Sequence, residues 1–196
     1  LPSRRVNDRF LLNRDELIEW ATARGIPVTL PTGEGPERLP GLAEALAAGG
    51  IVHGLPGTDK DTVLRHLVAR MPLPADVDPD FLHSVLLARE ALGSTALGDG
   101  VAVPHPRSPI LLRVPKPLMT LCFLEQPIDF GALDGKPVQA LFSTISPTTR
   151  IHLHLLARLA FALRDEGFRE AIARRAGAEE ILAAAHRIEA GMGPPK

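Results

Sequence analysis

Two short, largely apolar runs stand close together in the second half of the sequence. They cover residues 118–124 and 138–145, and the segment between them, 130–137, contains two glycines, an aspartate and a proline. Apolar runs of this length bounded by turn residues are typical of strands buried in a sheet. A third run, residues 101–103, follows Gly100 and stops at Pro104. These three runs therefore predict strands of a buried sheet.

Helical signals alternate with the strands, and a further short strand is predicted at 51–54. Each helix is indicated by apolar spacing together with a capping residue or a terminating glycine. The helices so predicted are one around 42–46 that ends at Gly49, one capped by 58–61 that runs to Arg70, one that begins at Asp78-Pro79, one that opens at Ser146-Pro147 and reaches about Arg164, and one from about Ala178 to Ile188. This alternation predicts a layered α/β domain with a central mixed β-sheet flanked by helices.

The amino-acid composition and net charge limit the kind of core and the kinds of partner that this chain can have. Apolar residues make up 45% of the chain, but aromatic residues only 4%, so the core must be built from aliphatic side chains. A formal charge of -1 gives no long-range field that would gather nucleic acid or anionic lipid. The single cysteine, Cys122, lies inside an apolar run and is expected to be a small core residue. With no long apolar span and a charged N-terminus, we expect a cytoplasmic protein without membrane insertion.

The first forty residues indicate a separate segment. Asn13 and Glu16 form a capping box for a helix that Gly25 ends. Residues 31–40 contain three prolines and two glycines, which is typical of a linker. We therefore expect an N-terminal segment with a short helix at 1–30, a linker at 31–40, the main domain at 41–190 and a tail at 191–196.

The most constrained polar residue is His105, which stands between Pro104 and Pro106. Both prolines fix their own φ, and the residue before a proline is pushed out of the helical region. His105 should therefore lie on stiff, extended backbone directly after the strand at 101–103. A histidine held on such a rigid backbone is expected to be oriented toward a reaction partner.

Other candidate residues lie within reach of His105. Arg89 shares a helix face with apolar residues while Glu90 is expected to turn away, and the chain then passes through Ser94 and Thr95 to His105. A guanidinium, two hydroxyls and loop N–H groups facing an imidazole would form a phosphate pocket. His152 falls on the apolar stripe of the helix after Ser146-Pro147, which is consistent either with a core histidine or with a second histidine at the site.

The segment Arg89-Glu90, Ser94-Thr95 and Gly98-Asp99-Gly100-Val101-Ala102-Val103-Pro104-His105 resembles the active-site signature of type-2 enzyme IIA domains of the phosphotransferase system, the fructose, mannitol and nitrogen-regulatory group. The segments 128–137 and 152–156 are similar to later blocks of that family. The resemblance implies that His105 accepts a phosphoryl group on Nε2 from the carrier HPr or its nitrogen-branch relative, with Arg89 and His152 in the same pocket. The departures are Ala96, where a glycine is common, and Pro106.

Two roles are open within that family. One is sugar transport, in which the phosphoryl group passes to an enzyme IIB; the other is regulation of a target protein. Residues 9–27 resemble the wing and last helix of excisionase-like, MerR-related helix-turn-helix domains, which favours a regulatory, transcription-linked role. The recognition helix would precede Leu1, so DNA would be read only through a missing upstream domain.

Two other classes of function compete with this interpretation. His105, His152 and Glu90 could hold the zinc of a metal-dependent hydrolase, but the sequence shows no metal-ligand spacing such as His-Glu-x-x-His. A binding module with a degenerate site is disfavoured by the intact set of Arg89, Ser94, Thr95 and His105. We expect no metal and no cofactor.

Overall fold

The computed structural model describes residues 4–6, 9–11, 39–107 and 114–191. The chain divides into two compact units, Leu1–Arg38 and Leu39–Lys196. In the first unit, β1 (Arg4–Val6) pairs antiparallel with β2 (Arg9–Leu11). The helix predicted from Asn13 to Gly25 lies outside the described residues.

The second unit alternates helices with strands along the chain. Its elements are α1 (Leu42–Gly49), β3 (Ile51–Leu55), α2 (Lys60–Arg70), α3 (Pro79–Ala91), β4 (Ala96–Gly98), β5 (Val101–Ala102), β6 (Leu118–Ile128), β7 (Val138–Ile145), α4 (Thr149–Ala162), α5 (Glu166–Ala173) and α6 (Ala178–Gly191).

Within the described part of this unit, the strands form one mixed sheet in the order β3-β6-β7-β5-β4. The pairs β3–β6 and β5–β7 are parallel, whereas β6–β7 and β4–β5 are antiparallel. The predicted mixed sheet flanked by helices is confirmed. Because β5 lies between β7 and the short edge strand β4, the chain that leaves β5 emerges near one side of the sheet, and His105 follows it there.

Helices cover both faces of the sheet, as the alternation of side chains along β6 shows. Met119, Leu121 and Phe123 are buried against α1, α4, α5 and α6. Leu118, Cys122 and Leu124 are buried against α2 and α3 on the other face. The prediction that Cys122 is a core residue is confirmed, and burial raises the pKa of its thiol to about 12.

The predicted helix starts are confirmed at α2 and α3, and corrected at α4. Asp59 accepts the Thr62 N–H in a full capping box, and Asp78 caps α3 with Pro79 in the first turn. At α4 the cap is Thr148, whose hydroxyl accepts the Ile151 N–H at 3.2 Å, and Ser146 is not in the helix. The helix therefore begins two residues later than the Ser146-Pro147 start expected from the sequence.

Two elements are present that the sequence pattern did not predict, α5 and β4. Asp165 caps α5 by accepting the Phe168 N–H at 2.9 Å. Among the described residues, no helix combines the length and the apolar character needed to cross a membrane.

Candidate functional site

His105 is held by its own backbone. Its Nδ1 lies 2.6 Å from the carbonyl oxygen of Val103, and both flanking prolines, Pro104 and Pro106, are buried. A carbonyl oxygen can only accept, so Nδ1 carries the proton and donates it. In the neutral ring this leaves the lone pair on Nε2. The half-buried imidazole is therefore fixed in the tautomer in which Nε2 is the nucleophilic nitrogen.

His152 lies directly beside His105. The two ring centroids are 5.2 Å apart, with 46° between the ring planes. His152 is 4% exposed, and its buried Nδ1 has no hydrogen-bond partner among the described residues. It occupies the first turn of α4, on the same buried face as Leu155 and Leu159. The structure thus places a second imidazole at the site, with an unpaired polar atom.

Both imidazoles are held neutral at pH 7. Burial is the main cause that lowers the pKa of His105; the positive charge of Arg89 lowers it further, while the Val103 hydrogen bond and Glu90 oppose the shift. Burial and the neighbouring His105 lower the pKa of His152 to about 4. Each ring nitrogen without a proton can therefore act as a nucleophile or hydrogen-bond acceptor.

A cavity of about 310 Å³ opens in front of His105. Arg89, Ser94 and Thr95 line it, together with Leu156 and Leu159 of α4. Arg89 reaches the cavity from the last turn of α3, where its Nη1 donates to the Gly93 carbonyl oxygen at 2.8 Å. The structure therefore brings Arg89, Ser94, Thr95 and His105 together around one space.

The two hydroxyls of the cavity wall are committed to protein acceptors. Ser94 Oγ donates to the carbonyl oxygen of Phe130 at 2.5 Å, and Thr95 Oγ1 donates to Glu90. Each hydroxyl has a single hydrogen to give. In the described state neither is free to donate to a phosphoryl group, so Ser94 and Thr95 hold the wall of the cavity in place.

The position of Glu90 on α3 differs from the one expected from the sequence. Glu90 does not turn away but is 6% exposed, and both of its oxygens accept the Thr95 N–H at 3.2 Å. Lys60 Nζ lies 3.8 Å from Glu90 Oε2. The sequence pattern predicts Arg89 on the apolar face of α3, whereas the buried residues of that helix are Leu82, His83, Leu86 and Glu90.

The turn between β4 and β5 approaches the neighbouring loop closely. Gly98, Asp99 and Gly100 all have positive φ, and a β-carbon on Gly98 would lie 3.1 Å from the Asp134 carboxylate. Asp99 N–H donates to Asp134 at 2.8 Å. Ala96, by contrast, lies in β4 opposite Ala102 without positive φ, so its side chain is accommodated where the family often has glycine.

Four other histidines contact backbone carbonyls away from the cavity. The partners are Arg175 and Ala176 for His53, Pro56 for His66, Asp61 for His83 and Pro40 for His154. These contacts agree with structural roles. Within the described ranges there is no cluster of three or more His, Cys, Asp or Glu side chains that could hold a metal ion. The zinc-hydrolase alternative therefore has no ligand set in this part of the chain.

Comparison with known sequences adds independent evidence. Residues 45–186 match the family described as "Phosphoenolpyruvate-dependent sugar phosphotransferase system, EIIA 2". The chain is 37% identical over 145 residues to a nitrogen regulatory protein of Pseudomonas aeruginosa, covering 71% of this chain and 91% of that protein. A nitrogen regulatory protein of Bradyrhizobium diazoefficiens is 35% identical over 127 residues, covering 64% and 81%.

Solved structures share the fold. The nitrogen regulatory protein IIA-Ntr of Neisseria meningitidis superposes with a TM-score of 0.64 and 30% identity, covering 74% of this chain and 98% of that one. The IIA mannitol structure of Escherichia coli, with a TM-score of 0.55 and 24% identity over 71% and 96% of the two chains, supports the fold alone. Taken with the sequence match over 45–186, these findings show that the chain belongs to the EIIA 2 family of the sugar phosphotransferase system.

Proposed function

We propose that this chain is a phosphohistidine carrier whose acceptor atom is Nε2 of His105. The observation that carries the proposal is the 2.6 Å contact between His105 Nδ1 and the Val103 carbonyl oxygen, which leaves the Nε2 lone pair free. Membership of a phosphotransferase family supports transfer of a phosphoryl group as the chemistry.

The transfer step needs no proton movement on the acceptor. The Nε2 lone pair of His105 attacks the phosphorus of the donor's phosphohistidine, and a new N–P bond forms. The N–P bond of the donor breaks, and its electron pair returns to the donor's ring nitrogen. His105 keeps its Nδ1 proton on Val103 throughout. Catalysis then consists of positioning and charge stabilisation, as phosphoryl transfer generally requires.

Arg89 is the cation proposed to face the phosphoryl oxygens. It lines the same cavity as His105, and one of its nitrogens is anchored by the Gly93 carbonyl. The remaining guanidinium N–H groups stay available to an anion, and Arg suits phosphate because its donors form a planar fork. His152 is proposed to orient the His105 ring or to contact the phosphoryl group. Ser94 and Thr95 are proposed to shape the wall of the phosphate-binding cavity.

The proposed donor is a small phosphocarrier protein of the HPr class, or its nitrogen-branch relative. Leu97, which lines the cavity, is 60% exposed. An exposed large apolar residue beside a reactive imidazole suits contact with a protein surface.

A regulatory role is the main proposal for the fate of the phosphoryl group. The relatives named above that match most of their own length are nitrogen regulatory proteins. Transfer to an enzyme IIB is the second candidate, favoured by 34% identity over 95 residues to a fructose-specific EIIA component of Haloferax volcanii, which covers 47% of this chain and 60% of that protein. The helix-turn-helix resemblance of residues 9–27 stays a prediction.

A phosphotransfer assay tests the acceptor. The chain is incubated with an HPr-class protein carrying phosphohistidine, and acid-labile phosphate on the chain is measured. Wild type and His186→Ala, which changes an exposed histidine of α6, should be labelled equally, and His105→Ala should not be labelled. Undiminished labelling of His105→Ala would overturn the proposal.

Capture of protein partners from a cell extract, with and without the phosphodonor, distinguishes the regulatory role from transfer to an enzyme IIB. A regulator should exchange protein partners when it is phosphorylated, whereas a transport subunit should pass its phosphoryl group to an enzyme IIB. Transfer to an enzyme IIB with no change of other partners would contradict the regulatory proposal.

A further inference from the structure

A continuous hydrogen-bonded path runs from the α2–α3 layer to His105. Glu90 accepts both the N–H and the hydroxyl of Thr95. The Thr95 carbonyl oxygen accepts the Val103 N–H at 3.0 Å. The Val103 carbonyl oxygen accepts the His105 Nδ1 proton. Each bond fixes the group that makes the next one.

Glu90 begins this path from a fixed position. Its side chain is 3% exposed, and the partly exposed Lys60 ammonium lies 3.8 Å from it. The same ammonium lies 5.0 Å from the centroid of the Phe130 ring, and the Phe130 carbonyl holds Ser94. A carboxylate buried to this extent is costly unless it is paired and hydrogen-bonded, and here both conditions are met.

The path ends at the Val103 carbonyl oxygen, which determines which ring nitrogen of His105 carries the proton. β5 contains only Val101 and Ala102, so its ladder to β7 stops one residue before Val103. The Val103 N–H is instead bonded to the Thr95 carbonyl oxygen. Without a fixed Thr95, the Val103 N–H loses the hydrogen bond that holds the backbone just before Pro104. The Val103 carbonyl oxygen then shifts relative to the His105 ring, whose tautomer it selects.

We propose that Glu90 is a positioning residue, which acts through Thr95 and Val103 to keep the His105 ring in the Nδ1–H tautomer with Nε2 free to accept a phosphoryl group. Glu90 touches neither the phosphoryl group nor the donor. The weak opposing influence of Glu90 on the His105 pKa agrees with this placement, behind the cavity wall rather than in it.

The inference rests on the proposed function, in which His105 accepts the phosphoryl group. The main measurement that tests it, the tautomer of the His105 ring, does not depend on that function. Ring-nitrogen NMR of the unphosphorylated chain measures the His105 tautomer directly. We expect wild type to be mostly Nδ1–H, and Glu90→Gln to shift population to the Nε2–H form. The initial rate of phosphorylation should fall by roughly 10- to 100-fold, because misplacing the nucleophile by about 1 Å costs that much.

Glu125→Gln is the matched control, since Glu125 is an exposed glutamate of β6. It should leave both the tautomer and the rate at their wild-type values. Thr95→Val removes only the hydroxyl bond to Glu90, and it should shift the tautomer in the same direction as Glu90→Gln. If Glu90→Gln does not fold, the tautomer of Thr95→Val tests the positioning role in its place.

The outcomes separate the two proposals. A wild-type tautomer in folded Glu90→Gln, or in Thr95→Val where that variant decides, overturns the positioning role. If the variant shifts the His105 tautomer but the wild-type chain is labelled at a residue other than His105, the positioning role of Glu90 is supported. The assignment of His105 as the phosphoacceptor is then overturned.

Discussion

The Val103 carbonyl oxygen is the hydrogen-bond partner of the His105 ring. This contact fixes the Nδ1 proton, while Pro104 and Pro106 fix the backbone on either side. Burial then disfavours the charged imidazolium, and Arg89 adds to this effect. A neutral ring with a free Nε2 is thus the resting state at pH 7, and this is the state that can attack phosphorus.

The pH dependence of phosphorylation follows from the His105 pKa, which lies below the ordinary value of 6.5. Only the neutral ring has the Nε2 lone pair, so the rate should be constant above the pKa and should fall as the pH drops through it. The half-maximal point should lie below pH 6.5. NMR titration of His105 checks the assignment, and a pKa above 6.5 in the folded chain would contradict it.

His152 should make the protein less stable in mild acid. Its pKa is about 4 when folded and 6.5 without burial, so between these values the unfolded chain binds a proton that the folded chain does not. The free energy of unfolding therefore falls as the pH drops through this window. Urea denaturation at pH 7 and pH 5 measures it. His152→Leu should lose less stability between these two pH values than wild type, and an equal loss in both proteins would contradict this account.

The sequence predicts the polar residues around the cavity but not its apolar wall or the hydrogen bonds between these residues. Arg89, Ser94, Thr95 and His105 follow from residue type and closeness along the chain. The bond from Ser94 to Phe130 spans 36 residues, and no local pattern encodes it. Helical spacing places Arg89, not Glu90, on the apolar face of α3, whereas Glu90 is buried there with Thr95 and Lys60 as its partners.

At the scale of elements, helix α1 depends on a cap supplied from the far end of the domain. Its N-cap residue, Gly41, has no side chain to offer. Glu189 of α6 instead accepts the N–H groups of Leu42 and Ala43. The negative charge also suits the positive end of the helix dipole. This contact ties the first helix of the domain to the last.

Glu189→Ala should lower the free energy of unfolding by about 1–2 kcal/mol, the usual cost of losing an N-cap. Urea denaturation measures the change. Glu170→Ala, at an exposed glutamate of α5, is the control and should change stability by less than about 0.5 kcal/mol. Equal stabilities of the two variants would show that Glu189 does not act as the cap.

Strong local signals explain which elements the sequence predicted. The capping box of α2, and the N-cap aspartate and N1 proline of α3, act within one turn and are readable in sequence. β4 has three residues and pairs with a two-residue strand, so its position depends on the sheet around it. The eight residues of α5 include Gly167 and follow α4 closely, so they lack the length that makes a helical period visible.

At the scale of the whole molecule, both buried apolar clusters found among the described residues belong to the second unit. The buried apolar side chains that line both faces of the sheet lie between Leu42 and Ile188. The site uses one element from each face, with Arg89 and Glu90 on α3 and His152 on α4.

The fragment 39–196 should therefore fold without residues 1–38. Its free energy of unfolding should lie within about 0.5 kcal/mol of that of the full chain, because both buried clusters found among the described residues lie within 39–191. Its rate of phosphorylation should also be unchanged. Urea denaturation and the phosphotransfer assay on both proteins check this. A less stable fragment, or a slower one, would show that residues 1–38 support the domain.

The most direct test of the central claim is ring-nitrogen NMR of the phosphorylated chain, which identifies the atom that carries phosphorus. The account predicts one phosphoryl group, bonded to Nε2 of His105, with the proton retained on Nδ1 and still donated to the Val103 carbonyl. A phosphoryl group on Nδ1 of His105, or on any other residue, would contradict it.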